Sequence, residues 1–148
     1  MFDLISCQQP DGTFNFVNGT FIAPNVWNIA NRWHSAVAAL VTIGGYTSNG
    51  AIQLGVVFGF ESGCRVVYSE RRRTSTPNCF PSFVHGTAFY RCLPSQELVK
   101  LHNNFPSNPG DWIVLTITLF SPTLVSLNVR NVMNGASEQT YVQCSRGV

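Results

Sequence analysis

Charge is what this sequence has least of: only 11% of its 148 residues are Asp, Glu, Lys or Arg, and the formal net charge is +2. So small a surplus excludes the broad basic footprint of a nucleic-acid or anionic-membrane binder, and neither partner is expected. The basic residues are scattered except at Arg71, Arg72 and Arg73, a run that reads as a solvated strand end or as a patch for an anionic group. Long apolar runs are missing too. The longest candidate, AVAALVTIGG (36–45), is about half of a membrane span and ends in glycines. The first residues, MFDLISCQQPDG, carry an acid at position 3 and no basic segment, so no signal peptide is expected there and the cellular location stays open.

Several chemical signatures are absent as well. There is no CxxC spacing and no nucleophile elbow of the G-x-S-x-G type, and GGYTSNG (44–50) lacks the lysine of a phosphate loop. His34, His85 and His102 therefore stand without a nucleophile context, and neither a metal nor another cofactor is expected. The five cysteines, Cys7, Cys64, Cys79, Cys92 and Cys144, leave two readings: a local Cys79–Cys92 disulfide, or free buried thiols. Asn18-Gly19-Thr20 is a glycosylation sequon that matters only in a secreted chain.

What is present is β-forming. Val, Ile, Thr, Phe and Tyr are frequent, the usual helix formers are scarce, and the length suits one domain, 1–148. Short apolar or alternating runs recur at 13–24, 34–45, 51–60, 64–70, 112–120, 123–131 and 138–145. Turn signals fall at Asn18-Gly19, Gly44-Gly45, Ser62-Gly63, Pro109-Gly110, Ser121-Pro122 and Asn134-Gly135. This pattern predicts an all-β fold, an antiparallel two-sheet sandwich. One long loop, with SQELVKLH (95–102) as a short helix, is expected around residues 74–108. Trp27, Trp33, Phe89, Tyr90 and Trp112 are read as core residues rather than sugar platforms.

A two-residue turn at Ser62-Gly63 would set Gly55 opposite Glu70 and Gln53 opposite Arg72, leaving Gln53 and Glu70 as diagonal neighbours on one face. On that face Ala51, Gln53, Gly55, Val57 and Gly59 are mostly small, whereas Ile52, Leu54, Val56, Phe58 and Phe60 form the opposite, core-facing set. Room for a ligand across the small-residue face follows. A solvated face with ordinary polar residues is the simpler alternative, and a one-residue change of register would separate the pair.

An ordered series of fragments now carries a resemblance. GTFIAPN (19–25), ALVTIGGYTSNGAIQLGV (39–56), CRVVYSERRR (64–73), NPGDWIVLTITL (108–119) and LNVRNVMNG (127–135) resemble, in order, successive motifs of the fungal glutamic peptidases, the eqolisins. The resemblance implies a concanavalin-like β-sandwich and places Gln53 at the family's catalytic glutamine, in its L-Q-x-G strand. It places Glu70 at the glutamate of the Y-E-W-Y-P motif, a different residue from the family's catalytic acid. It also implies an extracellular setting. The departures are specific: Leu40 and Gly44 replace a tryptophan and an aspartate, Arg71, Arg72 and Arg73 replace W-Y-P, and the 74–108 segment is longer. The A-E-W-I-x-E strand that supplies the family's catalytic glutamate has no counterpart before Val148, and the context of Glu138 does not match it.

Peptide hydrolysis of this kind needs a carboxyl group to move protons and an amide to orient water and polarise the oxyanion. Gln53 can supply the amide, so Glu70 is the candidate carboxyl, with Arg71 and Arg72 opposing its protonation. Tyr68, Arg72, His85 and Arg91 are the candidate binding residues, His85 and Arg91 as polar tips of a lid formed by the 74–108 segment. The expected function is a divergent glutamic-peptidase-like protein with a groove around Gln53 and Glu70, acting as a residual or repurposed enzyme on a peptide or small molecule. The alternatives are a non-catalytic binding module and a self-assembling structural protein, with a homodimer covering the edge that missing strands would expose.

Overall fold

Alternation decides which side chains turn inward. Ile52, Leu54, Val56 and Phe58 take every second position of one segment, Ile113, Leu115 and Ile117 those of another, and all are fully buried. Successive strand side chains point to opposite faces, so each run presents one apolar face that needs another to cover it. The computed structural model describes residues 14–25, 34–44, 50–69, 74–94 and 97–145, with the backbone alone at 34, 35, 60–69, 74–85 and 103.

Among the described residues the regular elements are Phe16–Ile22 (β1), His34–Gly44 (β2), Ala51–Ser69 (β3), Thr74–Leu93 (β4), Val99–Phe105 (β5), Trp112–Leu119 (β6), Leu124–Asn131 (β7) and Ser137–Gln143 (β8). They form two four-stranded sheets, in the orders β1-β6-β7-β8 and β2-β3-β4-β5. Every pairing is antiparallel, so the protein is an all-β, two-sheet sandwich. Ile43, Ala88 and Phe105 join the buried runs of β3 from the second sheet, and Val125, Leu127, Val129 and Val142 join those of β6 from the first. Phe21 of β1 meets Phe58 of β3 edge to face, with ring centroids 6.0 Å apart. Burying side chains of this size contributes about 1.5–3 kcal/mol each.

Two expected turns are strand interiors. β3 runs through Ser62-Gly63 and pairs with β4, setting Ser62 opposite Pro81, Gly63 opposite Phe80 and Cys64 opposite Cys79. Residues 51–60 and 64–69 are thus successive lengths of one strand rather than neighbours. A Ser-Gly pair permits a turn without requiring one, and β4 supplies a partner along the whole of β3. β2 stops pairing at Glu61 and β5 at Gly86, so among the described residues β3 and β4 continue as a two-stranded ribbon. Pro77 and Pro81 fit this ribbon because a proline, lacking an N–H donor, is tolerated where the outer side of the strand has no ladder to supply. Asn18-Gly19 is likewise inside β1. A Cβ on Gly19 would lie 2.5 Å from Val41 Cγ1, so the glycine serves the close approach of the two sheets.

The Pro109-Gly110 and Asn134-Gly135 turns are present, with Gly110 at φ +92° and Gly135 at φ +76°, backbone positions that favour glycine. The 74–108 segment, expected to be a loop or short helix, contains β4 and β5. The last four residues of SQELVKLH lie in β5, because Leu101 packs on the core and Phe105, four residues on, is 1% exposed. Trp112, read as core, faces outward and is 53% exposed.

The cysteine pairing also differs from both sequence readings. Cys92 of β4 is disulfide-bonded to Cys144, just after β8, with Cα atoms 5.8 Å apart. It joins the two sheets, so Cys92 is neither free nor the partner of Cys79.

Candidate functional site

Gln53 lies on β3 between the fully buried Ile52 and Leu54, so its side chain is on the face turned away from the core, and it is half-buried there. Thr42 of β2 stands opposite it on one side and Arg91 of β4 on the other, forming a row of hydroxyl, amide and guanidinium. The next row is Leu40, Gly55, Phe89 and Lys100, one from each strand of the sheet. The row on the other side is Gly44, Ala51 and Leu93.

Three positions beside Gln53 on this face, Ala51, Gly55 and Phe89, are buried, whereas Leu40, Thr42, Arg91 and Lys100 are exposed. Ala51 and Phe89 are 4% and 6% exposed although both point away from the core. Gly55 is buried as well, and the Phe89 ring lies over it: a Cβ there would be 2.6 Å from Phe89 Cζ and 2.9 Å from the carbonyl oxygen of Ala39. The absence of a side chain at Gly55 is what lets the aromatic ring settle on the sheet beside Gln53.

The observed register does not make Gln53 a neighbour of Glu70. Gln53 pairs with Arg91 rather than Arg72, and Gly55 with Phe89 rather than Glu70. Glu70 and Arg72 themselves lie outside the described residues. Ser69, the last residue of β3, stands opposite Thr74, and at about 3.3 Å per residue an extended strand puts it roughly 50 Å from Gln53. Tyr68 is on the same ribbon, opposite Ser75. His85 is a backbone position of β4 between Val84, opposite Gly59, and Gly86, opposite Phe105, where the register of β3 and β4 shifts. Of the candidate binding residues, Arg91 is the one whose described side chain shares the face of Gln53. Sequence reasoning missed Thr42 as its cross-strand partner and Phe89 as its diagonal neighbour. The small-residue pattern around Gln53 marked the face but not which strands flank it.

Two other polar clusters are separate from this face. Glu138 of β8 lies 3.6 Å from Nδ1 of His102 on β5, an ion pair when the imidazole is protonated, with both side chains 39% exposed. Exposed pairs of this kind contribute little, about 0–1 kcal/mol. Glu138 belongs to the first sheet and to this contact, so it is not positioned beside Gln53.

The second cluster uses polar residues from two of the fragments that carry the resemblance. Asn131, fully buried, donates from Nδ2 to Asp111 Oδ2 at 2.7 Å and to the Pro106 carbonyl at 2.9 Å. Its Oδ1 accepts from the Met133 N–H at 2.9 Å, and Asp111 Oδ2 also accepts from the Asn108 N–H at 2.8 Å. These bonds hold the 106–111 turn against the end of β7, a structural role.

No family model, no curated protein and no solved structure matches the chain.

Proposed function

We propose that the Gln53 face of the second sheet binds a peptide or small molecule through a carboxylate or similar anionic group, on the scaffold of a divergent relative of the glutamic peptidases. The observation that carries this reading is the row of Thr42, Gln53 and Arg91 on one outward-facing strip, with Thr42 and Arg91 exposed and Gln53 half-buried between them. A guanidinium presents forked donors to a carboxylate, the glutamine amide both donates and accepts, and the threonine hydroxyl adds a further donor. Phe89 over Gly55 gives an apolar floor beside them.

Binding is favoured over hydrolysis for an electrostatic reason. The positions opposite Gln53 in the register are Thr42 and Arg91, neither of them a carboxylate. A peptidase site needs a carboxyl group there to transfer protons, and a neighbouring cation would hold any carboxyl in its ionised form. The enzyme reading rests on the match of Gln53 to the family's glutamine and on a carboxyl supplied from outside the described residues.

Calorimetric titration with short acidic, neutral and basic peptides, each with free and amidated C-termini, tests the proposal. Binding that requires a carboxylate and is lost in Gln53→Ala supports it, and binding indifferent to ligand charge sinks it. The same protein is incubated with denatured protein substrates at acid pH with pepstatin present. Cleavage that disappears in Gln53→Ala would restore the enzyme reading.

Self-association is a second reading with its own observation. Phe16, Phe120, Leu124 and Tyr141 lie on the outer side of the first sheet, each at least 41% exposed. Phe120 and Tyr141 are 6.0 Å apart between ring centroids. Sedimentation across a concentration series decides it: a monomer throughout rules this reading out.

A further inference from the structure

We infer that Asn18 is an N-glycosylation site, and that its glycan covers the free edge and the outer face of the first sheet. Asn18-Gly19-Thr20 is the one Asn-x-Ser/Thr triplet in the chain. β1 places Asn18 and Thr20 on the same outward face, both exposed, while Gly19 between them faces Val41 across the sandwich. The acceptor amide and the hydroxyl of the sequon are therefore both outside the core. A glycan on Asn18 displaces no buried side chain.

A second, independent observation is the Cys92–Cys144 disulfide. Such bonds persist in oxidising compartments, and the secretory route that forms them is where N-glycans are added. The surroundings of Asn18 give the modification a purpose. Among the described residues β1 is the edge strand of its sheet, and Phe16 and Ile22 on the same outward side are 50% and 59% exposed. An open strand edge with exposed apolar side chains is a template for pairing with another chain. A bulky hydrophilic group between Phe16 and Ile22 blocks that approach. It leaves the Gln53 face, on the other sheet, open.

The step is a glycosyl transfer. The Asn18 side-chain nitrogen bonds to C1 of the first sugar of a polyprenyl-pyrophosphate-linked oligosaccharide as the bond from C1 to the pyrophosphate oxygen breaks. The pyrophosphate leaves with the electron pair, and the amide proton passes to a base of the transferase.

The test is expression behind a secretion leader in eukaryotic cells, alongside translation of the same chain into microsomes, where modification precedes folding. The expected result is one glycan, seen as a mobility shift that peptide N-glycosidase removes while converting Asn18 to Asp. Thr20→Ala keeps the asparagine and loses the shift, and Thr20→Ser retains both. Unmodified Asn18 in both settings overturns the site. For the shielding role, the deglycosylated protein is expected to associate at concentrations where the glycosylated form sediments as a monomer. Identical sedimentation of the two forms overturns that role.

Discussion

Gln53 and Arg91 stand directly opposite each other on β3 and β4, on the face of the second sheet turned away from the core. Cross-strand partners have Cβ atoms about 5 Å apart, so one ligand group can touch both. Charge-assisted hydrogen bonds contribute about 1.5–3 kcal/mol each. Arg91→Ala is therefore expected to weaken a carboxylate ligand by about 10- to 100-fold, and Arg91→Lys by less, since the ammonium keeps the charge and loses the fork. Titration of the three proteins with one acidic peptide measures this, and equal affinities for wild type and Arg91→Ala would exclude Arg91 from the site.

Gly55 should not tolerate a methyl group. An added Cβ would meet Phe89 Cζ at 2.6 Å and the Ala39 carbonyl oxygen at 2.9 Å, and the second of these is backbone that cannot swing aside. Gly55→Ala is expected to cost about 1–3 kcal/mol through overpacking, more than it gains by restricting the unfolded chain. Urea denaturation reads the difference. In a Phe89→Ala background, itself destabilised by the lost ring, Gly55→Ala should cost less than in wild type but not nothing, because the Ala39 contact remains.

The disulfide should matter to stability as a cross-link between sheets. Cys92 and Cys144 are 52 residues apart in sequence, and closing a loop of that length contributes about 4 kcal/mol in the chain-entropy view. Cys144→Ser is expected to lower the denaturation midpoint under non-reducing conditions. Wild type with the bond reduced should fall to the same midpoint, and a midpoint unmoved by either treatment would show that the link contributes nothing.

Asn131 is expected to be far more sensitive than an ordinary surface asparagine. It is fully buried and bonded to Asp111, Pro106 and Met133, so Asn131→Ala removes one of two donors from Asp111 Oδ2 and from the Pro106 carbonyl, and leaves the Met133 N–H without its acceptor. Each buried unsatisfied group costs about 1–3 kcal/mol. Asp111→Ala removes the acceptor shared by Asn131 and the Asn108 N–H. The double variant should be less destabilised than the sum of the two, and full additivity in a denaturation cycle would show that the bond between them is energetically idle.

What the sequence by itself determined is the local part of the fold. The period-two placement of Ile52, Leu54, Val56 and Phe58 identifies a strand and its buried face, and so puts Gln53 on the other face. Ile113, Leu115 and Ile117 do the same for β6, and the left-handed glycines at 110 and 135 mark real turns. These properties belong to neighbouring residues of one segment, where alternation and backbone sterics suffice. Only the tertiary structure decided which segments meet. Ser62-Gly63 reads as a turn until a long β4 is present to pair with it, and the end of SQELVKLH joins β5 because Leu101 and Phe105 find a core. Arg91 becomes the neighbour of Gln53, and Cys144 the partner of Cys92, through the pairing of distant strands and the packing of two sheets. Register along a ladder is a collective property, set by every cross-strand pair at once, so a short stretch read alone cannot specify it.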